Sequence, residues 1–217
     1  MKESTVNIIE ELIIRYNILE VCKNDILSAL EMLIDIYKNN KKLLVAGNGG
    51  SAADAQHMVG ELMKAFVLPR KLSISKQLEI KNMFPQDSHY LINNLQNAFS
   101  AISLLGENSL TSAYSNDKAS NLVFAQQIFG LGNPGDVFLA ISTSGNSENI
   151  IYACEVAKVQ KMKVIGLTGE TGGKMKKLCD IVICVPSNIT FKIQEYHLPI
   201  YHALCLALEN EFFGDEI

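Results

Sequence analysis

Five short apolar runs punctuate this chain: "KLLVAG", "AISLL", "DVFLAIS", "KVIGLTG" and "DIVICVPS". Each is apolar nearly throughout rather than alternating, so a strand made from it must be covered on both faces, and each gives way to turn residues or to a helical stretch. That succession predicts a parallel sheet of five strands between two helical layers, a three-layer α/β sandwich. Ahead of the first run, Ile8, Ile9, Leu12 and Ile13, then Leu27, Leu30, Leu33 and Ile34, recur at helical spacing and predict two amphipathic helices within residues 1–40. Such helices need a surface to cover. Phe191 to Phe213 reads as one long helix. The connection from Val67 to Ser100 is too long and too rich in Leu, Ile and Met for a bare loop, so helical pieces are expected there. No repeat, low-complexity segment or linker divides the chain, and residues 1–217 read as a single domain.

Composition narrows the choice of partner. With 19 Lys and Arg against 23 Asp and Glu the net charge is −4, and no dense basic run is present, which excludes an electrostatic footprint for nucleic acid or a membrane surface. A small ligand held by shaped polar groups is expected instead. The five cysteines (Cys22, Cys154, Cys179, Cys184, Cys205) form no C-x-x-C pair and sit in apolar surroundings, as reduced thiols used as small core residues do. Charges interrupt the N-terminus throughout, so it reads as neither a signal peptide nor a membrane span, and the cytoplasm is the expected compartment.

Two strand-to-helix loops carry polar chemistry. In "VAGNGGSAAD" the strand stops at Gly47, and Gly49 and Gly50 permit positive φ or close approach of a ligand to backbone N–H groups. The loop lacks the lysine of a nucleotide-phosphate loop and the spacing of a dinucleotide loop. Ser51 and Asp54 resemble a capping pair, so a helix is expected to start there. The second loop, "AISTSGNSEN", crowds Ser142, Thr143, Ser144, Asn146 and Ser147 ahead of another helix. Hydroxyls and first-turn amides can surround a phosphate without a cationic side chain. Singly, each loop is also what ordinary turns and caps would use. Two of them after parallel strands, at the carboxyl edge where open α/β sheets bind ligands, favour a site.

His57 and Glu61 are four apart on the helix that the first loop opens, so they share a face. In "IQEYHLPIYHALC", Gln194 and His202 are eight apart, and His197 between them points elsewhere and reads as structural. Two facing helices could thus present a carboxylate, an amide and two imidazoles, which suits a divalent ion such as zinc or acid–base chemistry. Taken alone, His57 also fits helix packing or exposure, and Gln194 says little.

With "GNGGSAADAQH", "STSGNS" and "IQEYHLPIYH", the chain resembles the SIS (sugar isomerase) fold and, within it, the phosphoheptose isomerases. The resemblance runs from the first helices to the last and implies a flavodoxin-like sheet. It implies an aldose–ketose isomerase converting D-sedoheptulose 7-phosphate into D-glycero-D-manno-heptose 7-phosphate, toward nucleotide-activated heptose. Asn48, Gly49, Gly50 and Ser51 would contact substrate, as would Asn116 and Asp117 in "AYSND", while Ser142, Thr143, Ser144 and Ser147 would hold the phosphate. The implied zinc ligands are His57, Glu61, Gln194 and His202. Of these, Glu61 and Gln194 would also touch substrate, and Glu61 and His202 would move protons. The family forms homotetramers with sites between subunits, for which the N-terminal helices would supply a bundle. Two features depart from the pattern: the segment of about 67–100 is longer than in the shorter bacterial enzymes, and Lys192 stands where an arginine is common. The alternatives are a non-catalytic SIS protein binding a replication initiator, which has no use for the Glu61 and His202 pair, and an isomerase of another phosphosugar.

Overall fold

The structure is a computed structural model, and it describes residues 1–214. Of the domain expected over 1–217, the last three positions lie outside the described residues. Five parallel strands stand in the order β2-β1-β3-β4-β5: β1 (Leu43–Ala46), β2 (Ala101–Ser103), β3 (Val137–Ile141), β4 (Lys163–Thr168) and β5 (Ile181–Cys184). All five apolar runs are strands, each trimmed at one end or both where turn chemistry begins. β1 pairs with β2 on one side (Leu43 opposite Ala101) and β3 on the other (Leu43 opposite Val137). The chain therefore turns back between β1 and β3, and the crevice above their carboxyl ends is the switch point where such sheets take ligands.

Alternate residues along the strands feed two separate cores. Leu43 and Val45 of β1, Leu139 and Ile141 of β3, and Ile165 and Leu167 of β4 face α1 (Glu3–Arg15), α2 (Lys23–Lys38), α3 (Gly50–Met63) and α10 (Thr190–Phe213). Leu44, Phe138, Ala140 and Val164 face the other way, onto α7 (Val123–Leu131), α8 (Glu148–Val159) and α9 (Met175–Leu178). Helices on both faces explain why the strands are apolar throughout. A 3₁₀ turn at Asn17–Cys22 joins α1 to α2, and the five cysteines are all free, with Cys22, Cys154 and Cys205 buried.

The long connection after α3 contains α4 (Ile74–Met83) and α5 (Ser88–Asn94), helical as its composition predicts, yet neither helix has a buried residue. Between β2 and β3 the chain runs through α6 (Asn108–Tyr114) and a π-helical turn, Ser115–Ala119. Among the described residues no helix is long and apolar enough to cross a membrane.

Candidate functional site

The two loops meet at the switch point. Asn48 and Asn149 exchange side-chain amide hydrogen bonds in both directions, each 2.9 Å, so the glycine loop after β1 is tied to the helix that follows β3. Gly49 has φ of 55° and serves as N-cap of α3. The expected Ser51–Asp54 capping pair does not form. The helix has already begun at Gly50 because a glycine in the left-handed region turns the chain one step earlier, and Ser51 is buried in the first turn. Asp54 is left free for another contact, described below.

The serine loop is braced from beneath. Ser142 is buried, with its Oγ 3.0 Å from that of Ser147, and the Thr143 carbonyl accepts from Gly169 N–H at 3.0 Å. Gly145 has φ of 64° and lies so close to the Gly172 carbonyl that a β-carbon would overlap it. Thr143 is half-buried and Ser144 exposed, with the Ser144 Oγ accepting from Asn146 N–H at 3.1 Å. Ser147 is N-cap of α8 without a side-chain capping bond, so the helix directs its first-turn N–H groups into this loop. Asn116 and Asp117 lie exposed on the π-helical turn, hydrogen-bonded to each other at 2.9 Å. That turn is kept beside the start of α8 by Asn121, which donates to Glu148 at 2.9 Å.

Below the loops, α10 runs alongside α3 in the same direction. Gln194 packs over Gly50, where a β-carbon would stand 2.5 Å from its amide nitrogen. Farther down, the rings of His57 and His202 meet edge to face at 4.9 Å between centroids, and His57 Nε2 is 3.6 Å from Glu61 Oε1. The other Glu61 oxygen takes a 2.6 Å ion pair from Lys64. Burial, with His57 alongside, holds the His202 imidazole below its ordinary pKa, while Glu61 opposes; its Nε2 is buried without a hydrogen-bond partner. His202 is therefore a neutral base near pH 7. It also lines a groove of about 320 Å³ beside α1, together with Arg15, Phe66 and Glu195.

Two further side chains orient His57: Tyr201, which did not stand out in the sequence, and Asp54, expected there only as part of a helix cap. Tyr201 donates to Asp54 Oδ1 at 3.3 Å, and its phenolic oxygen is 3.0 Å from His57 Nδ1. A phenol that gives its proton to Asp54 can accept one from Nδ1, the tautomer that would leave Nε2 unprotonated on the Glu61 side. Burial raises the Asp54 pKa, while the Tyr201 bond works against that. His197 is fully buried on α10, both ring nitrogens are without partners, and burial depresses its pKa to about 4, with the nearby Thr168 backbone working the other way.

Among the described residues no three His, Cys, Asp or Glu side chains are gathered closely enough to hold a metal ion. His57, Glu61 and His202 are neighbours, but Gln194 stands at the level of Gly50, about 10 Å of helix rise above His57. The donor chemistry nevertheless fits a cation. His57 Nε2 and a Glu61 oxygen face each other at 3.6 Å, and the orphaned His202 nitrogen is adjacent. A divalent ion with N and O preference would satisfy all three.

Comparison with known proteins agrees with this architecture. Residues 97–169 match the family model described as SIS domain. The chain is 39% identical to phosphoheptose isomerase 2 of Campylobacter jejuni over 205 residues, covering 94% of this chain and 87% of that one. It is 36% identical to the phosphoheptose isomerase of Aneurinibacillus thermoaerophilus, covering 99% and 93%. A solved phosphoheptose isomerase from Francisella tularensis superposes with a TM-score of 0.74 at 31% identity, over 96% of this chain and 94% of that one.

Proposed function

Since this chain belongs to the phosphoheptose isomerases of the SIS family, we propose that it interconverts D-sedoheptulose 7-phosphate and D-glycero-D-manno-heptose 7-phosphate through a cis-enediol, using Glu61 and His202. The observation that carries this reading is the unpartnered His202 nitrogen on α10 beside the His57–Glu61 pair on α3, the helix that the glycine loop opens.

In the proposed mechanism the phosphate lies among Ser142, Thr143, Ser144 and Ser147 at the first turn of α8, where N–H groups and hydroxyls offset its charge. Asn48, Gly49, Gly50 and Ser51 line the sugar, with Asn116, Asp117 and Gln194 on its hydroxyls. One of Glu61 and His202 takes the proton from C1 of the ketose and returns it to C2; the other moves a proton between O1 and O2. Atoms balance without a co-reactant. Each such role contributes about 10² to 10⁴ in rate. Zinc held by His57, Glu61 and His202 would supply Lewis-acid polarisation of the sugar oxygens, while Gln194, beside Gly50, is left to the substrate hydroxyls. The Tyr201–Asp54 pair keeps the Nε2 lone pair of His57 turned to that position, as outer partners of metal-bound histidines do.

We assign the protein to the cytoplasm and to a homotetramer. The exposed apolar side chains Ile14, Ile18 and Val21 beside α1 support assembly. The deciding experiment is isomerase activity on sedoheptulose 7-phosphate with protein as purified, after chelation, and after zinc is restored. Aldose that falls on chelation and returns with zinc supports reaction and metal together. No aldose under any condition overturns the substrate assignment.

A further inference from the structure

The last turn of α3 carries Glu61 and lacks a backbone cap: Lys64 beyond it is extended, at φ −132° and ψ 171°. Its carbonyls are met from elsewhere. Arg70, nine residues past Glu61, has a side chain with no exposure and donates to the Leu62 carbonyl at 2.7 Å and to the Glu61 carbonyl at 3.1 Å. Its remaining Nε–H goes to Glu209 at 2.8 Å. The guanidinium lies 4.7 Å from the Phe99 ring centre, which closes it off from water. Glu209, buried on α10, spends its two oxygens on Arg70 and on the N–H groups of Phe66, Val67 and Leu68 at 2.7 to 2.8 Å.

Geometry gives this network a consequence for the site. Glu209 is seven residues beyond His202, so the two project from nearly the same side of α10, about 10 Å apart along its axis. One helix thus carries His202 and, two turns on, the carboxylate that grips the chain leaving Glu61. A buried ion pair is a weak source of net stability, since apolar residues of equal volume do as well. What it offers is direction: five donors in a rigid fork and a carboxylate saturated with hydrogen bonds leave little freedom in register.

We infer that Arg70 and Glu209 are positioning residues that fix the end of α3, and with it Glu61, against His202. This rests on Glu61 and His202 being the functional pair. Neither Arg70 nor Glu209 touches substrate; they act through the Glu61 backbone.

The test compares wild type with Arg70→Lys, which keeps the charge but cannot serve Glu209 and two carbonyls at once, and with Glu209→Gln should the first variant fail to fold. Val164→Ala, which loosens the core on the opposite face of the sheet, controls for lost stability. Turnover of sedoheptulose 7-phosphate is measured well below each unfolding midpoint, and calorimetry gives the affinity of metal-free protein for Zn²⁺ alone. The expected result is a fall in kcat of about 10- to 100-fold with KM within about twofold, a fall in Zn²⁺ affinity of about tenfold or more, and neither change in Val164→Ala. Wild-type kcat and Zn²⁺ affinity in a folded variant, with only a lower Tm, overturns the inference. If wild type binds Zn²⁺ but makes no aldose, the substrate reading fails alone and the affinity comparison decides. If wild type neither binds Zn²⁺ nor turns over, both fall.

Discussion

α10 and the α4–α5 pair are built from similar apolar residues and end in opposite environments. α10 buries Ile193, Ile200, Leu204 and Leu208 among ten residues, because α1, α2, α3 and the sheet surround it. α4 and α5 pack mainly on each other, leaving Ile74, Leu78, Met83 and Tyr90 more than half exposed. The contrast teaches that apolar content marks a segment as helical without saying whether its own chain will cover it. In the proposed assembly, α10 holds the site together and α4–α5 is left for another surface.

The largest effect that would sharpen this contrast is chemical and sits on the covered side. Glu61→Gln should cut turnover about 10²- to 10⁴-fold with the circular dichroism spectrum unchanged; near-normal turnover removes Glu61 from the mechanism. Next comes packing. Leu204→Ala, at 1% exposure, should cost about 2–5 kcal/mol in denaturant unfolding, and a loss under 1 kcal/mol would show that α10 is not the keystone described above.

A pH effect of similar size follows from His197. Its folded pKa, about 4, lies below the ordinary 6.5, so below about pH 6.5 the unfolded chain binds a proton that the folded chain refuses. Stability from this residue is complete above that pH and drains away as pH falls toward 4, by at most ~3 kcal/mol. Unfolding curves at pH 7 and pH 5 should separate further for wild type than for His197→Gln. Equal separations would mean that His197 is protonated in the fold. The smallest effect belongs to α4: Leu78→Ala should move the stability of a dissociated chain by less than about 0.5 kcal/mol. If instead it shifts the sedimentation mass, Leu78 lies in a contact between copies.

Much of this was legible in the sequence, for reasons that vary by element. The strands announce themselves because burial on both faces demands unbroken apolar runs, and the polar loops do so because few strand-to-helix turns crowd so many hydroxyls and glycines. His57 and Glu61 were readable as a pair because four residues along a helix brings side chains together. The start of α3 was misplaced because a glycine cap competes with a serine cap, and sequence does not say which φ is adopted. Tyr201, Arg70 and Glu209 escaped notice, and Asp54 was read only as a cap, because their partners lie about 140 residues away along the chain, beyond any periodicity. A faint signal existed for two of them: Arg70 and Glu209 each come directly after an apolar run, "AFVLP" and "ALCLAL".

The reciprocal amide pair between Asn48 and Asn149 makes the two loops a single body, although 101 residues separate them. A ligand entering the crevice would meet a mould set during folding, with little freedom to surrender on capture. Cutting that clasp, as Asn149→Leu would, leaves every substrate-facing group in the chain yet lets the two halves of the mould drift, so selectivity among sugar phosphates of different length would be the first property to blur.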